Sequence, residues 1–234
     1  CRGEKRDDRW NDTRGNKQMT EDALPYEGTV LEHLLIQHLT SFYDVGEHNH
    51  IRLRGADWND GLDMAEERGE SVAFTALYGG NLKNLAQDIK DYSDKTGKDT
   101  VSIAKEILML LEADSSIYDS IGEKNALLEK YCDEVGHIIS GEKTEVKCDW
   151  LADKLTEMSN WITDHIRNTE WTSDKEGNSW FNGYYDNSGK AVEGDFESGV
   201  RMMLTGQVFT VMSGVATDEQ VAEIAKAADK YLYD

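Results

Sequence analysis

Apolar residues recur at helical spacing in seven separate stretches, and Pro25 is the single proline in 234 residues. That combination admits long helices and excludes collagen-like or polyproline folds. The first stretch runs over 29–45, with Leu31, Leu35, Leu39, Phe42 and Tyr43 at helical spacing and Gly46 closing it. The second runs over 71–90 and carries Val72, Leu82, Leu85 and Ile89, but Gly79 and Gly80 interrupt it. Two adjacent glycines cost roughly 2 kcal/mol relative to alanine in a helix, so a close helix–helix approach is expected there. Further helices are predicted over 99–113, 122–139, 149–169 and 197–213, and a last one from Asp218 to about Leu232, opened by a Thr217-x-x-Gln220 capping box. Strand signals are confined to WFNGYYDNSG, read as two short strands or an extended loop turning at Asp186–Gly189. The expected fold class is all-α with one short extended aromatic segment.

Charge narrows the function. Lys and Arg number 25 against 46 Asp and Glu, a formal net charge of −21. Phosphate backbones and anionic membranes both need clustered cations, so neither nucleic acid nor a membrane surface is an expected partner. No apolar run approaches the roughly 18 residues that span a bilayer. Cys1, Cys132 and Cys148 are odd in number and match no metal spacing, so they read as unpaired thiols. CRGEKRDDRW has no apolar leader core and no initiator Met, and reads as a cut inside a longer protein.

The segment between the first two helices, 46–70, is a Gly-rich connection too long for a simple turn. Within it lies Arg52-Leu53-Arg54-Gly55-Ala56-Asp57-Trp58-Asn59-Asp60-Gly61-Leu62-Asp63. Carboxylates beside an aromatic ring suit a sugar site: the carboxylates bond hydroxyls or donate a proton, and the ring packs on an apolar sugar face. Crowded carboxylates also raise one another's pKa. The same cluster equally fits a structural acidic turn. An EF-hand is excluded, because counting from Asp57 puts Leu62 where glycine is needed and Arg68 where glutamate is needed. His48 and His50 form a weak metal pattern, and no metal is expected. His137 and His165 read as ordinary helix residues. Trp171, Trp180, Phe181, Tyr184 and Tyr185 form either a sugar-stacking surface or a wedge closing the core.

The loop GADWNDGLD closely resembles the G-D-W-N-D-G signature of the inverting phosphorylases of glycoside hydrolase family 94, which include the cellobiose phosphorylases. The resemblance extends to the helix–loop–helix over 25–90, with GES before its second helix, and to WFNGYYDNSG and GQVFTVMSGVATDEQ. It covers 25–90 and 170–225, leaving 91–169 as a helical insertion or divergent stretch of one partial catalytic domain, 1–234. The variant ADWNDGLDMA looks closer to the 1,2-β-oligoglucan phosphorylase branch. The resemblance implies part of an (α/α)6 barrel. It places the general acid on Asp60 and the ring bordering the donor sugar on Trp58, with Asp57, Asn59 and Arg54 as substrate-binding candidates. It further implies a β-linked gluco-oligosaccharide and inorganic phosphate as co-substrates, no cofactor, a homodimeric parent protein and a cytoplasmic location. Nothing in this sequence resembles the family's phosphate-binding segments, so the chain alone is expected to lack phosphorolytic activity.

Two rivals stand beside that reading. An inverting hydrolase would need a second carboxylate as base, for which Glu66, Glu67 and Glu70 are candidates. A non-catalytic carbohydrate-binding domain would need none.

Overall fold

The computed structural model of the chain describes residues 17–53, 65, 67–136 and 138–233. Among them lie seven α-helices: α1 (Val30–Tyr43), α2 (Val72–Thr96), α3 (Leu108–Leu111), α4 (Ile121–Glu134), α5 (Cys148–Thr169), α6 (Leu204–Met212) and α7 (Asp218–Tyr231). Helix α1 opens on a capping box, Thr29 and Glu32 each accepting the other's backbone N–H, and α7 opens on the expected one between Thr217 and Gln220. Ser71 caps α2 by accepting from Phe74 N at 2.9 Å, and Gly97 ends it in the left-handed region at φ 69°.

The central packing is α2 against α5. Leu82, Leu85 and Ile89 share one core cluster with Leu151, Leu155 and Ile162. The double glycine is explained here. A Cβ on Gly79 would sit 2.7 Å from Ile162 Cγ2 of α5, and one on Gly80 would sit 2.8 Å from Ser213 Cβ beyond α6. The close approach lets Ser159 Oγ donate to the Gly79 carbonyl at 2.7 Å. Helix α1 meets α2 where Tyr78 packs 4.9 Å from the His38 ring and accepts from Gln37 Nε2.

The all-α expectation is overturned. The helices share the described residues with eleven short strands: β1 (Met19–Thr20), β2 (Ile51–Arg52), β3 (Glu70–Ser71), β4 (Thr100–Ala104), β5 (Ile138–Ile139), β6 (Lys143–Lys147), β7 (Trp171–Ser173), β8 (Ser179–Phe181), β9 (Tyr184–Tyr185), β10 (Gly194–Phe196) and β11 (Gly199–Arg201). These form five separate sheets, and the helices among the described residues do not trace an (α/α)6 barrel. The helix expected over 99–113 is mostly not one. Thr100, Val101 and Ile103 are β-branched and pair antiparallel with β6, from Thr100 opposite Lys147 to Ala104 opposite Lys143. Only the apolar Leu108–Leu111 turn stays α-helical. The helix expected over 197–213 begins at Leu204, because β10 and β11 form a hairpin before it, turned with Gly199 at φ 110°.

Candidate active site

Arg54, Asp57, Trp58, Asn59 and Asp60 lie outside the described residues, as does Glu66. The frame that holds both ends of their loop is described. Strands β2, β3 and β9 form an antiparallel sheet, with Arg52 opposite Glu70 and Glu70 opposite Tyr185. At the loop's base Leu53 N donates to Gly69 O at 2.8 Å, and Gly69 N donates to Ala65 O at 3.0 Å. Leu53 and Ala65 are buried in a small apolar cluster with Ala73, Tyr184 and Val192. The Asp186–Gly189 turn also reaches the loop: Asn187 Oδ1 accepts from Glu67 N and Arg68 N, both at 2.8 Å. That turn is the expected one. Asp186 Oδ1 accepts from Ser188 N and Lys190 N, and Gly189 adopts φ 71°. Two segments far apart in sequence thus share one sheet at the foot of the acidic loop.

Behind the sheet lies a chain of buried polar groups. Glu70 accepts from the backbone N–H groups of His48 and His50 and from His48 Nδ1. A Cβ on Gly46 would fall 2.4 Å from the Glu70 side chain, so only glycine lets the 46–50 turn close over it. Glu170 meets His50 Nε2 at 2.9 Å, Asn182 Nδ2 at 2.9 Å and the Tyr185 hydroxyl at 3.0 Å. Burial opposes its ionisation, but the hydrogen bond and attraction from His50, with the Asn182 amide, outweigh burial and hold the carboxyl at about 2. His165 Nε2 donates to the His48 carbonyl at 2.9 Å. Burial, reinforced by His50, pulls that imidazole down to about 4.

A second buried carboxylate anchors the later segment. Glu193 accepts from Gly183 N at 2.5 Å, Met203 N at 2.6 Å and Gln207 Nε2 at 3.2 Å. Burial pushes it up to about 8 against those donors. Gln207 also brackets Phe181, accepting from its N–H at 3.0 Å and donating to its carbonyl at 2.7 Å.

The histidine pair does not converge as the H-x-H spacing suggested: His48 turns to Glu70 and His50 to Glu170. Among the described residues no group of three His, Cys, Asp or Glu is placed to hold a metal. Trp180, Phe181 and Tyr184 are buried, which makes them the wedge rather than a sugar-stacking surface. Glu70, a candidate base for hydrolysis, has both carboxylate oxygens engaged and is buried, so it is not free to activate water. Sequence reasoning missed Glu170, Glu193 and the role of His165. None carries a local pattern, because the partners lie ten or more residues away in sequence.

The model of the glycosyl hydrolase 94 superfamily catalytic domain matches residues 9–149. The chain belongs to that superfamily. The match contains the acidic loop and the 46–50 turn that supports it, while β9 and the Asn187 turn lie beyond it. A search of curated proteins finds similarity to the solabiose phosphorylase of Paenibacillus borealis, 23% identical over 225 residues, which is 93% of this chain and 22% of that enzyme. This glycosyl hydrolase 94 chain therefore spans about a fifth of the length of that relative. No described helix is long and apolar enough to cross a membrane.

Proposed function

We propose that the chain is a portion of the catalytic domain of an inverting β-glucoside phosphorylase and that Asp60 is its general acid. The observation that carries this reading is the DWND loop lying inside the superfamily match. Similarity to a relative named as a phosphorylase supports it. In this mechanism Asp60 protonates the leaving glycosidic oxygen while phosphate attacks the anomeric carbon from the opposite face. Phosphate is already an anionic nucleophile, so the second carboxylate that activates water in an inverting hydrolase is not needed. Trp58 borders the donor sugar, and Asp57, Asn59 and Arg54 bond its hydroxyls. The engaged state of Glu70 favours phosphorolysis over hydrolysis, because it removes one candidate base.

The test uses the full-length protein that carries this chain. It is incubated with β-linked gluco-disaccharides, with and without inorganic phosphate, and products are read by ³¹P and ¹H NMR. Strictly phosphate-dependent release of α-glucose 1-phosphate is the expected result. Cleavage to free sugars without phosphate would establish the hydrolase instead, and binding without cleavage the carbohydrate-binding domain.

A further inference from the structure

Lys124 is fully buried, an uncommon state for a lysine. It sits in the first turn of α4, and its ammonium is held from three sides. Nζ donates to Asn49 Oδ1 at 2.9 Å and lies 4.0 Å above the Phe42 ring and 4.3 Å above the Trp161 ring. The three N–H groups thus have three acceptors: one amide carbonyl and two aromatic faces. Phe42, Tyr118 and Trp161 meet edge to face around it, with centroids 4.9 to 6.2 Å apart. Among the described residues no carboxylate forms an ion pair with it. Asp119 attracts it through space and is itself bonded by Trp161 Nε1 at 2.9 Å.

Asn49 is the residue it grips. Asn49 has φ 64°, one of two non-glycine residues with positive φ among those described. Its amide is used at both ends, since Nδ2 donates to the Tyr118 carbonyl at 2.9 Å while Oδ1 receives Lys124. The turn around it closes with Gly46 N donating to His50 O at 2.9 Å, which aims the His48 and His50 N–H groups at Glu70 and the His50 ring at Glu170.

We propose that Lys124 is a positioning residue for the frame of the candidate active site: its boxed ammonium pins Asn49 in the left-handed conformation that shapes the 46–50 turn, and the turn holds Glu70 of β3 and Glu170 in place. What the turn serves rests on the phosphorylase reading; the grip of Lys124 on the turn does not. A buried cation is a costly way to fill this space, and a methionine of similar volume would pack between the same rings without that cost. The amine therefore contributes geometry rather than stability.

The grip is also sensitive to pH. Burial pushes Lys124 down to about 7, with Asp119 opposing. The groups facing it are His38 from α1, Tyr78 from α2, Tyr118 and Asp119 ahead of α4, and His165 from α5. His165 and Lys124 repel when both are charged, and burial already keeps His165 neutral at pH 7. Above neutrality the amine loses its charge and with it the attraction to the two rings.

Hydrogen exchange read by mass spectrometry on the full-length protein tests this without reference to activity. In Lys124→Met, peptides spanning 46–53 are expected to exchange at least about tenfold faster at pH 6.5. Peptides from α2 and α5 should be unchanged, and the thermal midpoint should not fall. In the unsubstituted protein, exchange of 46–53, corrected for its intrinsic base dependence, should accelerate between pH 6 and 8.5, and the variant should lose that dependence. Unchanged exchange at 46–53, or equal acceleration of every core peptide, overturns the proposal. Asn49→Ala removes the acceptor and leaves a residue that still has to be held at positive φ, so it should reproduce the local acceleration if Lys124→Met does not fold. Wild-type protection of 46–53 in Asn49→Ala overturns the proposal as well.

Discussion

The imidazole of His48 lies flat against the ring of Tyr185, with centroids 3.6 Å apart and planes 8° from parallel. One ring belongs to the turn that enters the acidic loop and the other to β9, so the stack joins two segments that are remote in sequence. The Tyr185 hydroxyl extends the joint by donating to both oxygens of Glu170 at 3.0 Å. The described frame of the candidate site is therefore joined by contacts between segments remote in sequence.

Tyr185→Phe keeps the stack and removes the hydroxyl. A hydrogen bond to a charged group contributes about 1.5–3 kcal/mol, so this variant should lose about 2 kcal/mol in urea unfolding. Tyr185→Ala also removes the ring and should lose about 3–5 kcal/mol. Wild-type stability in Tyr185→Phe would show that the Glu170 contact contributes nothing, and equal losses in the two variants that the ring stack contributes nothing.

The buried network should make the fold acid-labile in two steps. His165 is held at about 4 in the folded state against an ordinary value of 6.5, so the unfolded chain binds more protons between those values and stability falls as pH drops from 6.5 to 4. Glu170 is held at about 2 against 4.5, so its contribution is complete above pH 4.5 and is lost as pH falls towards 2. Each step amounts to about 3 kcal/mol at 1.36 kcal/mol per unit. Urea midpoints between pH 7 and 2 measure the sum, and His165→Phe should flatten the upper step alone.

Gly79→Ala gains about 1 kcal/mol in helix propensity but drives a Cβ to 2.7 Å from Ile162 Cγ2. Overpacking of this kind costs about 1–3 kcal/mol, and α2 is held by backbone and the Ser159 bond, so net destabilisation is expected. Trimming the opposing side chain in Gly79→Ala/Ile162→Ala should recover part of the loss relative to additive behaviour. Strict additivity of the two substitutions would rule out the steric account.

Much of this architecture can be read from local pattern, and the rest cannot for a physical reason. The Gly79-Gly80 pair announces a close approach because its cost has no local remedy. Thr217-x-x-Gln220 and Asp186–Gly189 are self-contained, since their hydrogen bonds close within a few residues. Thr100–Ala104 misleads because the helical spacing of Leu108, Leu111 and their neighbours extends backwards over β-branched residues whose partner, β6, lies some forty positions on. The same distance hides Glu170 and Lys124: each sits beside polar neighbours, as on a solvated face, and partners such as His50 and Asn49 lie far off in sequence. The acidic loop stands out from its own residues as a candidate that fits a sugar site and a structural turn alike, whereas the supports at Glu70, Asn187 and Tyr185 emerge only from the sheet and its turns.

Asn187 offers a way to disturb the loop without touching it. Asn187→Ala removes the acceptor shared by Glu67 N and Arg68 N, both at exposed positions, so global stability should change by no more than about 1 kcal/mol. Turnover of β-glucosides by the full-length protein should nonetheless fall several-fold, because the loop's C-terminal end loses its tether. Wild-type turnover would show that the tether is irrelevant to the reaction.

The decisive substitution is Asp60→Asn in the full-length protein. It should abolish cleavage of unactivated β-glucosides while leaving the thermal midpoint intact. Three considerations meet at this residue. It occupies the acid's place in the W-N-D triplet of a chain that belongs to the superfamily. Asp57 and Asp63 flank it at three residues on either side, close enough in sequence for like charge to raise its pKa. Trp58 supplies an apolar neighbour that disfavours the ionised form, as general acids require. Loss of general acid catalysis costs about 10²–10⁴-fold, and the deficit should shrink for substrates whose leaving group departs without a proton. Asp57→Asn is the control, because an acidic turn with a purely structural role would make both substitutions equally mild. Near-wild-type rates on oligosaccharides in Asp60→Asn would return the loop to a binding or structural role and leave the protonation of the leaving group to another residue.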